Sequence, residues 1–208
     1  MTAIAIWYNN ESGNYPSLWT VADTLVCSHG DTILLEDASK VYGLPVICKT
    51  YENNIPIPMV KHHHTYGYCF AGSTLLGQNT YLSLLPLLGN LFIRENDTAP
   101  TLEQVSIFIH NYFKSTFNEF KQRVGPSSLF EAAIYGWCHN SNMLQLFRYF
   151  PEKIDGTFQV SCEKITFSKL SDFVYLGSEK NKMINRIDQA FKEEPIPGRP
   201  TTRVPRYR

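Results

Sequence analysis

At Ala71-Gly72-Ser73 the period of the sequence changes, and that change limits the class of fold the chain can adopt. Ahead of it, β-favouring runs alternate with polar turns: 2–8, Leu18 to Asp23, Thr32 to Glu36, Val41 to Lys49, and Thr65 to Phe70, where Tyr66, Tyr68 and Phe70 share one face. Glu11 to Pro16, rich in Asn, Gly and Pro, reads as a hairpin loop. Residues 50–63, with Asn53-Asn54, Pro56 and Pro58, read as a longer loop. Behind the change, Leu75, Leu76, Leu82, Leu85, Leu88 and Phe92 predict a helix apolar on most sides, which Pro86 kinks or shortens. A second helix opens at Pro100-Thr101, with Thr101 and Gln104 at capping-box spacing. Leu102, Val105, Ile109, Tyr112, Thr116, Phe120 and Val124 recur along it at three- and four-residue steps, and Gly125-Pro126 stops it.

Strands resume at Phe130 to Trp137 and Met143 to Phe150, paired across His139-Asn140-Ser141-Asn142. Thr157 to Cys162 alternates, with Phe158, Val160 and Cys162 on one side, and Phe173 to Leu176 is a last short strand. Ser178 is suited to N-cap a final helix whose inner face is Met183, Ile184, Ile187 and Phe191. Residues 195–208, with four Pro and four Arg, read as an extended or disordered tail. Strand runs with helices segregated beside them predict an α+β layered domain over residues 1–194, long enough to bury a core.

Lys plus Arg and Asp plus Glu both number 19, so no overall basicity points to nucleic acid and nothing favours a membrane surface. The apolar run near Leu82 to Leu88 is too short and too broken by Pro and Gly to span a bilayer, and no secretory signal is visible. Five scattered cysteines, Cys27, Cys48, Cys69, Cys138 and Cys162, without a Cys-x-x-Cys pair, read as buried thiols of a reducing, cytoplasmic compartment. Lys61-His62-His63-His64 offers imidazoles to a metal, but neighbours in an extended chain point to opposite faces. The run therefore reads as a solvated loop entering a strand, and neither metal nor cofactor is expected. His110 and His139 fit a helix and a turn, and the tail arginines fit a solvated tail.

The chemistry-bearing feature is the opening. Met1 precedes Thr2, a residue small enough for methionine aminopeptidase to expose, and Thr2 leads straight into the first strand. A terminal Thr joins a hydroxyl nucleophile to an α-amine that titrates near about 7.7–8.0, so the amine can serve as the base that deprotonates the hydroxyl.

Four further segments stand in a telling order: Val21-Ala22-Asp23-Thr24, Ala38-Ser39-Lys40-Val41, Cys69-Phe70-Ala71-Gly72-Ser73 and Tyr175-Leu176-Gly177-Ser178. Together with Thr2 they make the chain resemble, over roughly residues 1–190, a proteasome β-type subunit of the N-terminal-nucleophile hydrolases. The resemblance implies a four-layer αββα sandwich of two mostly antiparallel sheets, shortened at the C-terminus. It implies Thr2 as nucleophile and Lys40 beside its hydroxyl, where the positive charge favours loss of the proton. Asp23 would hold Lys40 by a charge-assisted bond, the Gly72 N–H would face the oxyanion, and Ser178 would support the terminal amine. The implied reaction is amide hydrolysis through an acyl-enzyme, on a peptide or a small amide, in a ring or double-ring homo-oligomer. Surplus aromatics Tyr112, Phe113 and Phe117 on the long helix suit burial against another subunit.

The pattern also departs from the family. Leu25 stands where an Arg follows the Asp-Ser pair, and only about 30 residues follow Ser178, with no match for the Asp and Ser that orient the terminal amine. A non-catalytic ring or interaction subunit is the alternative. Each residue also has a plainer role: Asp23 as a strand-ending turn residue, Lys40 as an exposed lysine, Gly72 as a turn, Ser178 as a cap.

Overall fold

The computed structural model describes residues 2–10, 16–27, 32–51, 56–94, 97–124, 129–169 and 172–192. The chain divides into two units, Met1–Ser178 and Glu179–Arg208. The first holds eleven described strands and two helices. Strands β1 (Ala3–Asn9), β2 (Ser17–Ala22), β3 (Val26–Cys27), β4 (Ile33–Leu35), β5 (Val41–Thr50) and β6 (Met59–Gly72) precede helix α1 (Thr74–Leu88). Strand β7 (Leu91–Phe92) and helix α2 (Leu102–Val124) follow, then β8 (Phe130–Cys138), β9 (Met143–Ile154), β10 (Thr157–Ile165) and β11 (Phe173–Gly177).

The strands form a six-stranded sheet in the order β10-β9-β8-β6-β5-β7, a three-stranded sheet in the order β11-β1-β2, and the small β3-β4 hairpin. Pairing is antiparallel except for β5 with β7. Alternation along the strands sorts side chains into two cores. On the helical face, Tyr66, Tyr68 and Phe70 of β6 meet Leu76, Leu84 and Leu88 of α1 and Leu102, Val105, Ile109, Phe113 and Phe117 of α2. On the opposite face, Cys69, Ala71, Ala133, Tyr135 and Leu146 pack against Ile4 and Ile6 of β1 and Val174 and Leu176 of β11. The small residues Cys69, Ala71 and Ala133 on that inner face let the two sheets approach closely. The first unit is thus helices on a sheet on a second sheet.

Several expectations are corrected. The segment read as a loop to residue 63 is already strand from Met59, because the His-rich run pairs with β5, His62 opposite Cys48 and His64 opposite Val46; Asn53 and Asn54 lie outside the described residues. The first helix ends at Leu88, two residues past Pro86, and Phe92 belongs to a short strand. Along α2, the inner line runs through Phe113 and Phe117, which are fully buried, whereas Tyr112 and Phe120 flank it. These phenylalanines are therefore core, not surplus surface. The capping box forms as expected: the Gln104 side chain accepts from the Thr101 N–H at 2.8 Å, and Thr101 Oγ1 accepts from the Gln104 N–H at 3.1 Å. The Gly125-Pro126 stop, the 11–15 loop and the tail from residue 195 lie outside the described residues.

Two polar arrangements finish the sheet. Arg148 of β9, its side chain mostly buried, bridges Glu131 of β8 and Glu163 of β10, each at 3.0 Å. At the outer strand β10, α2 side chains reach backbone carbonyls: Lys121 donates to Phe158 O at 3.0 Å, and His110 Nε2 lies 2.8 Å from Val160 O. The second unit contains α3 (Lys180–Lys192), with Met183, Ile184 and Ile187 on one stripe. Its first turn closes by a bond from the Met183 N–H to the Glu179 carbonyl, so Glu179, not Ser178, stands at the cap.

Replacing Phe113, which packs on Phe130 and Tyr149 at ring-centroid distances of 4.8 and 5.1 Å, removes the centre of the helical core. Phe113→Ala is expected to destabilise the fold by about 3–5 kcal/mol, measured by urea unfolding.

Candidate active site at the inter-sheet cleft

Strand β1 lies in the middle of the three-stranded sheet, so its first residues are held from both sides. The Asp23 N–H donates to the Ala3 carbonyl at 3.0 Å on one flank, and the Ser178 N–H donates to the Thr2 carbonyl at 2.9 Å on the other. Thr2 is therefore fixed between the end of β2 and the turn after β11. Gly177 makes this possible. Its φ is +123°, and a Cβ there would collide with the Thr2 carbonyl, so only glycine brings the turn this close.

Lys40 enters from the other sheet. Its carbonyl accepts from the Phe70 N–H at 3.2 Å, which seats it at the start of β5 beside β6. Its side chain crosses to the three-stranded sheet and is only 2 % exposed. An ammonium carries three donors and no acceptor. Here Nζ donates to Asp23 Oδ1 at 2.7 Å and to the Leu25 carbonyl at 2.6 Å, and faces Thr2 Oγ1 at 3.4 Å. The last contact is longer than the usual N–H···O range of about 2.7–3.2 Å. The segment carrying Asp23 and Leu25 is in turn tied to the approach to Lys40 by a bond from the Ala38 N–H to the Thr24 carbonyl at 2.9 Å.

Of the residues singled out from the sequence, Lys40 thus contacts both Thr2 and Asp23, and it is a buried lysine rather than an exposed one. Ser178 meets Thr2 through its backbone N–H. Gly72 ends β6 with a φ of +95°, and a Cβ there would come within 2.6 Å of the Leu129 carbonyl. That conformation turns the strand into α1, whose N-cap Ser73 accepts from the Leu76 N–H. Ser73's own N–H is taken by the Leu129 carbonyl at 3.1 Å, leaving Gly72 the turn residue that separates strand from helix. Met1 lies outside the described residues.

Two participants were not legible in the sequence. The Leu25 carbonyl is a backbone group, which no side-chain pattern announces. Gly177 reads only as half of a Gly-Ser turn until its neighbour is known. Cys69, close by on the inner face, is no rival nucleophile: burial pushes its thiol up to about 12. All five cysteines are free, and among the described residues no three His, Cys, Asp or Glu side chains converge as a metal cage. No described helix is long and apolar enough to cross a membrane.

Gly177→Ala forces a side chain into the Thr2 carbonyl. The expected result is a folded protein destabilised by about 1–3 kcal/mol, with amide exchange at Ser178 accelerated as its bond to Thr2 is lost. Unchanged stability and protection would show that the turn does not hold Thr2.

No family model matches this chain, and no curated protein matches it. Among solved structures it is similar to Anbu (ancestral beta-subunit) from Yersinia bercovieri, with a TM-score of 0.51 at 14 % sequence identity over 91 % of this chain and 70 % of that one. What the two share is the fold, a mixed α/β arrangement compatible with the proteasome-like architecture that the sequence resembles.

Proposed function

We propose that this chain is a proteasome-like hydrolase that cleaves amide bonds with an N-terminal threonine. The observation that carries the reading is Lys40, a buried ammonium shared between Asp23 and the Thr2 hydroxyl. Removal of Met1 frees the Thr2 α-amine. That amine takes the Oγ1 proton while the Lys40 charge favours the oxyanion form. Oγ1 then attacks the substrate carbonyl, the negative charge passes to the carbonyl oxygen, and the Gly72 N–H is the donor that meets it. The proton held by the Thr2 amine goes to the leaving nitrogen as the C–N bond breaks, and an ester remains on Thr2. Water, deprotonated by the same amine, releases the acid and restores the hydroxyl.

In this reading the protein completes a four-layer sandwich with a second helical layer, and works as a ring or double ring on a peptide or small amide in the cytoplasm. Assembly is supported by the outward faces of the helices. α1 bears no charged residue, and Leu75 and Leu82 are 64 % and 60 % exposed; Ile107 and Phe108 project from α2. These residues take the role first given to Phe113 and Phe117.

A second reading has one specific support. Lys40 lies closer to Asp23 and Leu25 than to Thr2, as a strut fastening the two sheets would. In that case the chain is a non-catalytic ring or interaction subunit.

The test is intact-mass spectrometry after exposure to an electrophile directed at N-terminal threonine. The hydrolase reading expects a chain lacking Met1 that gains one adduct, and loss of the adduct in Thr2→Ala with folding retained. Lys40→Met is expected to slow adduct formation by about 100-fold or more. A chain that keeps Met1 and takes no adduct leaves the strut reading standing.

A further inference from the structure

The His-rich run read as a solvated loop is strand, and this brings one of its imidazoles against a histidine from another element. His64 lies in β6, eight residues and about 27 Å along the strand from Gly72, so it belongs to the opposite end of the sheet from Thr2. His139 lies in the turn between β8 and β9. His64 Nδ1 and His139 Nε2 are 2.9 Å apart, with the rings at 82° and their centroids 4.5 Å apart. A head-on N–H···N bond of that length holds ring centroids about 5 Å apart, so the two rings approach at an angle rather than in line.

That separation matches the bite of two imidazoles bound side by side on one ion. With metal–nitrogen distances of about 2.0–2.1 Å, a right-angled pair spans about 2.9 Å and a tetrahedral pair about 3.4 Å. The first is the geometry of square-planar or octahedral ions, of which Cu(II) and Ni(II) suit nitrogen ligands.

The surroundings suit a ligand. His64 stands edge-on to Tyr66 with ring centroids 4.5 Å apart, and its Nε2 is buried without a hydrogen-bond partner among the described residues. His62 shares the strand face of His64 two residues away, and His63 points to the other face. Cys138, next to His139, is already engaged, because its sulfur accepts from the Leu102 N–H at 3.5 Å.

We infer that His64 and His139 form a two-imidazole site for a divalent transition metal ion, Ni(II) or Cu(II), with water completing the coordination shell. Binding replaces the contact between the rings: the proton held there moves to the far nitrogen of whichever ring carries it, and each facing nitrogen gives its lone pair to the ion. The ion then ties β6 to the β8–β9 turn. It binds only the folded chain, so it raises stability with concentration.

Ni(II) titrated into the full chain at neutral pH, followed by calorimetry and by melting temperature, tests the inference. One equivalent is expected to bind and to raise the melting temperature. His139→Gln, a change at an exposed turn residue, is expected to weaken binding by about tenfold or more and to abolish the rise, since even outer-shell changes cost this much. His64→Gln is expected to do the same, whereas the paired change His62→Gln with His63→Gln retains both effects. Absence of binding, binding indifferent to His139→Gln, or binding lost in the His62/His63 pair, which marks an adventitious ion only, each overturns the inference. None of these readouts depends on hydrolysis.

Discussion

The buried positive charge of Lys40 organises the meeting of the two sheets. Removing an ammonium from water costs several kcal/mol unless its donors find acceptors and a counter-charge. Lys40 is buried between two sheets and finds the Asp23 carboxylate, the Leu25 carbonyl and the Thr2 hydroxyl. Each partner comes from a different place: the head of β1, the end of β2, and the segment leading into β3. Satisfying the charge therefore requires the two sheets and the small hairpin to assume one mutual arrangement. The Asp23 and Ser178 backbone bonds to β1 make the same demand from the other direction.

The apolar cores set the distance over which that charge works. The inner face of the large sheet is narrow-shouldered near the site, with Cys69, Ala71 and Ala133 opposing the fuller Ile4, Ile6 and Leu176. On the other face the aromatic side chains of β6, Tyr66, Tyr68 and Phe70, are met by leucines of α1 and phenylalanines of α2. The strand β6 thus shows large residues to the helices and small ones to the second sheet. That division lets a lysine side chain span the gap between sheets.

Much of this was legible in the sequence. Period-two and period-3.6 patterns located most strands and both long helices, and among the residues singled out for chemistry Lys40 contacts both Thr2 and Asp23. What failed had physical reasons. The 50–63 segment looks like a loop because it contains Pro56 and Pro58 and its histidines are polar, yet from Met59 onward pairing with β5 satisfies its backbone. The α2 face was misassigned by one position because both Tyr112 and Phe113, and both Thr116 and Phe117, fit a three-four spacing; only the sheet beneath decides which of each pair turns inward. Ser178 resembled a cap from composition, but its N–H is drawn to Thr2 and the helix begins one residue later. Backbone contributors such as the Leu25 carbonyl carry no signal in residue identity at all.

The outermost strand of the large sheet has its own consequence. A bare strand border invites a foreign strand to zip on by main-chain pairing. Along β10 the Phe158 and Val160 oxygens, two residues apart and so of one orientation, already have α2 lysine and histidine partners. A helix packed on the face of the sheet thereby also guards its margin. A companion that approaches along that border must recognise it by shape and side chain, and the polymerising habit of an open ladder is closed off there.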